Sequence, residues 1–252
     1  FWLKFAMPPV CVGLVVTHAA LAHAPAALPT ALAWLRTSLL SHPDNHAVVI
    51  LVGHASSLPA FAGSLRDLAV DPDAVGRWAR GEAPGEPALA AGLSRLMCRV
   101  NRVVREVGGG VEQKVVVIDA GEERGYMAQQ TALMNCAVAA RAEGGAQIDV
   151  VCLAQKPTVL ESLARATSGT CTVGSTDPSQ LLIQLVTGAF GASLAVSRGF
   201  RGLETSSRKQ PFSCYCHAAP MEKAFVCSVC LAVFCGRDHA ECAVCHVQFG
   251  AA

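Results

Sequence analysis

Several motifs that mark common enzyme classes are missing from this sequence of 252 residues. It contains neither GxGxxG nor GxxxxGKS/T, the glycine-rich loops whose backbone N–H groups cradle nucleotide phosphates. It also lacks the GxSxG elbow that carries the nucleophile of α/β hydrolases. These absences argue against a nucleotide-dependent enzyme and against a serine hydrolase.

Charged residues are scarce as well. Asp, Glu, Lys and Arg make up 15% of the chain, and the formal net charge is +1. Such a balance gives no sign of bulk electrostatic binding to nucleic acid or to acidic lipid. The apolar fraction of 52% is enough for a large core, and the length fits one medium domain plus a small one. The low charge content is a hint of a subunit whose surfaces are covered by partners.

Long apolar runs are also missing, since no uninterrupted run reaches the roughly 18 residues of a membrane-spanning helix. Residues 1–24 have one lysine, an apolar run and a small-x-small ending, which is roughly the plan of a signal peptide. We favour the alternative, a buried strand over residues 9–16, because Pro8 and Pro9 interrupt any long apolar helix. The sequence therefore predicts a soluble intracellular protein that does not bind membranes.

Residues 10–188 alternate between two hydrophobic patterns. Short apolar runs typical of buried strands occupy 11–17, 47–54, 114–120, 147–154 and 171–174. Helical spacing occupies 28–42, 86–107, 126–145, 156–170 and 177–190. Residues 55–87 are rich in Gly, Pro and Ala and fit no clear pattern, although an edge strand could lie there. The alternation predicts an α/β domain over residues 1–196, doubly wound around a mostly parallel, Rossmann-like sheet.

The predicted strand ends carry polar residues that form no recognisable catalytic set. Ligands in this fold class bind beyond the carboxyl ends of the strands, where His18, His54 and Asp119 stand. Asp119 could bind a cation or act as a base, but a lone Asp at a strand end more often caps the next helix. The two histidines are expected to be structural or exposed. We therefore predict no catalytic residue and no cofactor-binding or small-molecule substrate site in this domain.

The cysteines, by contrast, are concentrated at the end of the chain, where residues 214–245 hold seven of the twelve. Two CxxC pairs stand eleven residues apart, and such spacing is typical of a zinc site. The primary ligands predicted are Cys227, Cys230, Cys242 and Cys245. Four sulphurs leave no open position for water, so this site would be structural. Phe225, Leu231, Val233 and Phe234 are expected to form the small core of the module.

A second zinc site is one of two interpretations of the remaining ligands. Its first pair would be Cys214 with Cys216 or His217, and its other pair Cys235 with Asp238 or His239. In this cross-braced order the first and third pairs bind one ion, and the second and fourth bind the other. The alternative is a single zinc with three spare thiols. The module would span 214–249, after a polar, basic linker over 197–213 that is expected to be a solvated connector.

The cysteine-rich segment is similar to a known family. The stretches FSCYCH, FVCSVCLAVFC and CAVC resemble the C-terminal zinc finger of the smaller von Willebrand A-type subunit of the transcription and repair factor TFIIH. The resemblance extends upstream through LAAGLSRLMCRVNR, KVVVIDAGEERGYMAQQTALMNCAVAA, IDVVCL and LARATSGTCTV, and so covers roughly residues 88–249. It implies a von Willebrand A-like α/β domain. Thr17 and His18 stand where a metal-binding A domain would carry DxSxS, which agrees with a scaffold role.

The resemblance also implies a function and partners. It indicates a nuclear, non-catalytic subunit of the TFIIH core, acting in RNA polymerase II transcription initiation and nucleotide excision repair. The implied partners are the larger von Willebrand A/RING-like sister subunit and the other core subunits. Contact with DNA would be indirect, through the complex. The alternative is a RING-like E3 ubiquitin ligase, although the first and third ligand pairs depart from full RING spacing.

Overall fold

The computed structural model describes residues 8–38, 42, 44–54, 56–82, 87–108, 110–142, 145–187, 212–217, 220–221, 223–230, 232–236 and 240–249. A six-stranded sheet forms the centre of the larger domain, with the strand order β3-β2-β1-β4-β5-β6. Its strands are β1 (Val10–Thr17), β2 (His46–Val52), β3 (Ser57–Ser64), β4 (Glu112–Asp119), β5 (Gln147–Cys152) and β6 (Cys171–Val173). Only β3 runs antiparallel to its neighbour, and the other pairs are parallel.

Helices cover both faces of this sheet. They are α1 (His18–His23), α2 (Ala27–Ser38), α3 (Pro72–Gly81), α4 (Leu89–Val107), α5 (Glu123–Met127), α6 (Gln130–Ala142), α7 (Thr158–Ala166) and α8 (Pro178–Thr187). Alternate residues of each strand point to opposite faces, so each face has a core of its own. Helices α4 to α7 cover one face, and α1, α2 and α8 cover the other. None of the helices in the described part of the chain is long and apolar enough to cross a bilayer.

The predicted doubly wound α/β domain is therefore confirmed, with differences in detail. The edge strand suspected within 55–87 is β3, and the same stretch also contains the unpredicted helix α3. Helix α3 begins after an Asp71 cap with Pro72 in its first turn, and it has no fully buried residue. Its Val75 and Trp78 pack against the core from a partly buried position. Helix α1 has six residues, too few to show a period. The helix predicted at 126–145 is interrupted, because α5 ends at Met127 and α6 begins at Gln130.

A buried ion pair that the sequence analysis missed fixes the amino-terminal ends of the central strands. Lys114 Nζ lies 3.8 Å from Asp149 Oδ2, and each side chain is 1% exposed. Asp149 also accepts hydrogen bonds from Gln147 and from the backbone and hydroxyl of Thr170. These bonds satisfy both carboxylate oxygens, as a buried charge requires, and they tie β4, β5 and the start of β6 together.

The C-terminal module contains two small antiparallel hairpins. They pair β7 (Phe212–Ser213) with β8 (Pro220–Met221), and β9 (Phe225–Val226) with β10 (Val233–Phe234). Of the predicted linker over 197–213, residues 197–211 lie outside the described residues, and β7 occupies the other two. The domain boundaries given by the sequence analysis therefore stay predictions.

One glycine gives a direct test of the helix-to-sheet packing. A Cβ added at Gly169, after α7, would lie 1.7 Å from the carbonyl oxygen of Ile148 on β5. We expect Gly169→Ala to lower the free energy of unfolding by about 2 kcal/mol or more, because a backbone atom cannot move aside cheaply. Urea denaturation measures this. Gly81→Ala is the matched control, since nothing lies within 4 Å of its Cβ, and an equal loss of stability in both variants would contradict the packing.

Candidate metal centres

The structure brings the four predicted primary ligands into one group. Cys227 Sγ lies 3.7 Å from Cys245 Sγ, and Cys230 Sγ lies 3.5 Å from Cys242 Sγ. All four sulphurs lie within 4.8 Å of one another. Disulfide sulphurs would be about 2.05 Å apart, whereas four thiolates around a zinc ion at about 2.3 Å would stand about 3.8 Å from each other. The spacing therefore fits a tetrahedral metal site and excludes disulfide pairing.

Each CxxC pair lies in a tight turn that follows an extended segment. Cys227 follows β9, and its N–H donates to the carbonyl of Ala232 at 2.9 Å. Cys242 follows a bridge between Glu241 and Gln248, and its N–H donates to the carbonyl of Val247 at 2.8 Å. These backbone bonds close both turns. The thiols are thus left to face one another.

The local environment gives the four thiols different acidities. Burial raises the pKa of Cys230 to about 12. Burial acts in the same direction on Cys227, but the N–H groups of Cys230 and Val229 outweigh it and lower that pKa to about 7. Ionising all four thiols this close together requires a compensating cation, because like charges disfavour one another. The cluster is therefore suited to a metal ion, which binds the thiolate form.

The remaining candidate ligands form a second group. Cys216 Sγ lies 3.6 Å from Cys235 Sγ, and His217 Nδ1 lies 3.6 Å from Cys214 Sγ and 3.4 Å from Cys235 Sγ. These four ligand atoms also lie within 4.8 Å of one another. Cys214 is buried, and the other three residues are exposed. The histidine that joins the group is His217, whereas the alternatives Asp238 and His239 lie outside the described residues.

A single hairpin connects the two groups. Cys227 directly follows β9 and Cys235 directly follows β10, so the ligands of the two groups leave opposite ends of this antiparallel pair. Along the chain, the ligands of the second group stand on both sides of the first CxxC pair. This is the interleaved order of the cross-braced interpretation, and it couples the shape of each group to that of the other.

The apolar core of the module differs from the predicted one. Phe234 is buried at its centre, with ring centroids 6.2 Å from Tyr215 and 6.0 Å from Phe249. Phe225, the cross-strand partner of Phe234 in this two-residue hairpin, is instead 38% exposed. Leu231 lies outside the described residues. With so few buried apolar residues, much of the folding energy of the module has to come from elsewhere, and metal binding can supply it.

Both groups could hold a metal ion, and the type of site follows from their donors. Four protein donors complete a tetrahedral shell, which leaves no position for a reactive water. The arrangement can shape and stabilise a surface, but it offers no metal-bound nucleophile.

The strand-end carboxylate of Asp119 is fully buried and used in hydrogen bonds. Its Oδ1 accepts from the hydroxyls of Thr17 at 2.8 Å and Tyr126 at 2.6 Å, and its Oδ2 accepts from the N–H of Gly121 at 3.0 Å. Burial raises the pKa of Asp119 above its usual value, although these hydrogen bonds act the other way. The carboxylate therefore links β1, β4 and α5. It does not cap the next helix, because α5 begins after Glu122.

The other polar residues at the strand ends also have structural contacts. His18 opens α1, and its ring packs edge-on against Trp78 at 5.9 Å. Ser56 accepts from Trp78 Nε1 at 2.8 Å, and Ser57 accepts from Arg95 at 2.8 Å. His54 is exposed at the carboxyl edge of the sheet. The sequence analysis missed Tyr126 as a partner of Asp119, and no motif would have found it, since the contact depends on how α5 packs.

The two ligand groups predict the metal content of the purified chain. We expect two metal equivalents per chain by inductively coupled plasma mass spectrometry. Cys227→Ser should remove at least one equivalent, because three ligands and a hydroxyl hold the ion more weakly than four. His217→Ala should remove the equivalent of the second group. Cys98→Ser, an exposed cysteine on α4, is the control and should keep both, and full metal retention in either test variant would contradict the ligand groups.

The hydrogen bonds of Asp119 predict that magnesium does not change the thermal stability of the chain. We expect 10 mM Mg²⁺, a concentration well above typical site affinities, to change the melting temperature by less than about 1 °C, since a cation would have to displace two hydroxyl donors. Differential scanning fluorimetry measures this, with Ca²⁺ as a second divalent ion. A rise of several degrees that is lost in Asp119→Ala would show a cation site at this edge.

Comparisons with known proteins place these features in a family. The family model of transcription factor Tfb4 matches residues 78–246. A relative in Schizosaccharomyces pombe, the general transcription and DNA repair factor IIH subunit tfb4, is 25% identical over 240 residues, which cover 86% of this chain and 78% of the relative. A relative in Dictyostelium discoideum, general transcription factor IIH subunit 3, is 25% identical over 163 residues. That match spans 64% of this chain but only 42% of the relative.

The crystal structure of the TFIIH p34 N-terminal domain matches with a TM-score of 0.58 and 16% sequence identity. The match covers 72% of this chain and 98% of that domain. At this identity the match speaks for the fold alone, and it agrees with the doubly wound α/β architecture of the larger domain. Because the family model spans well over half of the residues, this chain belongs to the Tfb4 family.

Proposed function

We propose that this chain is a non-catalytic structural subunit of the TFIIH core complex. The observation that carries the proposal is the family match over residues 78–246, since relatives of this family are named as TFIIH subunits. The subunit would work in the nucleus, in RNA polymerase II transcription initiation and nucleotide excision repair. It would meet DNA only through the complex.

We propose zinc as the metal of both groups. Cysteine and histidine donors in closed tetrahedral sets are the ligands that structural zinc prefers, and softer thiolate sets disfavour magnesium and calcium. The ions would fold the module over 214–249 and hold its surface in shape. The module would then present one protein-binding surface, and the α/β domain over 1–196 a second.

The proposed partners are the larger von Willebrand A/RING-like subunit and the other core subunits. The geometry of Asp119 supports a scaffold role for the α/β domain, because this carboxylate is engaged in holding the fold together. The interleaved order of the two ligand groups is the one feature that favours the alternative, a RING-like E3 ubiquitin ligase. Exposed apolar side chains on this module, Val226 and Val229, would suit either kind of protein contact.

Co-expression with the remaining TFIIH core subunits tests the proposal. We expect the chain to co-purify with them in a stoichiometric complex, and Cys227→Ser to weaken that assembly by about tenfold or more through loss of the module surface. Size-exclusion chromatography with quantitative mass spectrometry measures both. A chain that stays alone under these conditions, or that forms polyubiquitin with E1 and E2 enzymes, would contradict the scaffold proposal.

A further inference from the structure

A groove runs between helices α4 and α6 on the outer surface of the α/β domain. It consists of two adjoining hollows of about 700 Å³ and 410 Å³, which share Ser94 of α4 and Ala132 of α6. Together they extend along α4 from its N-cap residue Ala88 to Asn101, a distance of about 20 Å at 1.5 Å per residue. This length matches about four turns of a helix laid in the groove.

The described residues that line the groove include no Asp, Glu, Lys or Arg. Ala91, Ser94 and Cys98 of α4 form one wall, and Ala132, Asn135 and Ala139 of α6 form the other. Exposed helix surfaces of soluble proteins are normally rich in charged residues, so an uncharged face between two helices indicates a surface that a partner covers. The short side chains allow the backbone of a partner to approach closely.

A row of arginines borders only one side of this groove. Arg95, Arg102 and Arg105 stand three residues before, four after and seven after Cys98, so they share its side of α4. Arg99 lies next to this row, and all four are exposed. Glu106 is the single acidic residue of α4, and among the described residues no ion pair joins it to an arginine. Helix α6 has no acidic residue and only Arg141 as a basic one, at its last turn.

We propose that this groove binds an apolar segment, helical in form, from another protein subunit, and that acidic side chains along one flank of the segment meet Arg102 and Arg105. The uncharged walls suit apolar side chains, and the one-sided basic row fixes the orientation of the segment by charge complementarity. A nucleic-acid strand fits less well, because its phosphates would find no basic side chain on α6 before Arg141, and its bases would find no Phe, Tyr or Trp to stack on among the described lining residues. A second copy of this chain would bring arginines against arginines. The proposal rests on the subunit role proposed above.

Groove occupancy is measured by alkylation of Cys98 with N-ethylmaleimide, in the free chain and in the complex reconstituted with the other TFIIH core subunits. We expect the modification rate of Cys98, resolved by peptide mass spectrometry, to fall by about tenfold or more in the complex, since thiol reactivity follows access. Ala132→Trp fills the groove from an exposed position and should weaken assembly by about tenfold. Ala142→Trp, exposed at the end of the same helix, is the control and should assemble normally.

The contribution of the arginine row to binding is tested with the double variant Arg102→Glu/Arg105→Glu. The control is Arg80→Glu, which changes an exposed arginine on α3. We expect the double variant alone to weaken assembly, by about tenfold at low salt and less at high salt, because exposed charges are screened.

If the complex forms while Cys98 stays reactive and these variants bind normally, the groove inference is wrong and the proposed function stands. If no complex forms, the proposed function fails. Loss of DNA binding, measured by fluorescence anisotropy of a labelled duplex, without loss of assembly would overturn the proposal in favour of a nucleic-acid surface.

Discussion

The crowding of ionisable sulphurs is the constraint on which the C-terminal module depends. Four thiols within 4.8 Å cannot all ionise unless a cation compensates their charge, because like charges disfavour one another. One buried phenylalanine, Phe234, is too small a core to fix the chain by itself. The hairpin β9/β10 joins this group to the second one, so the shape of each ligand group depends on the same hairpin.

In the larger domain, two buried carboxylates are stabilised by protein groups. Asp149 is neutralised by Lys114 at one end of the sheet, and Asp119 is held by hydroxyl and amide donors at the other. In many proteins of this fold class the carboxyl edge of the strands is where ligands bind. Here the strand-end carboxylate contributes to packing, because Thr17 and Tyr126 occupy the directions from which a cation would approach.

The proposed role in protein contact fits these features together. The family relationship points to a large complex, the ligand groups have closed donor sets, and the α4–α6 groove is an uncharged surface with a basic border. The small charged fraction of the whole chain fits this picture, since surfaces that partners cover need fewer charges for solubility. Under the proposed function, the surfaces of the chain, more than any reactive centre, would carry its role.

The sequence by itself determined the alternation of strands and helices and the positions of the five parallel strands of the central sheet, because buried parallel strands require continuous apolar runs. The antiparallel edge strand β3 is only partly buried, so the sequence placed it no more closely than within 55–87. It also determined the CxxC pairs, because metal-binding turns have a fixed spacing. Tertiary structure alone decided that His217 faces Cys214 and Cys235, that Tyr126 reaches Asp119, and that Lys114 and Asp149 meet inside the domain. The sequence also did not predict the short helix α1, because a helical period can be recognised only over a longer segment. It did not predict the groove beside α6, because that surface forms only where two helices pack together. Local pattern encodes which residues are buried, whereas the packing of distant segments decides which polar groups meet.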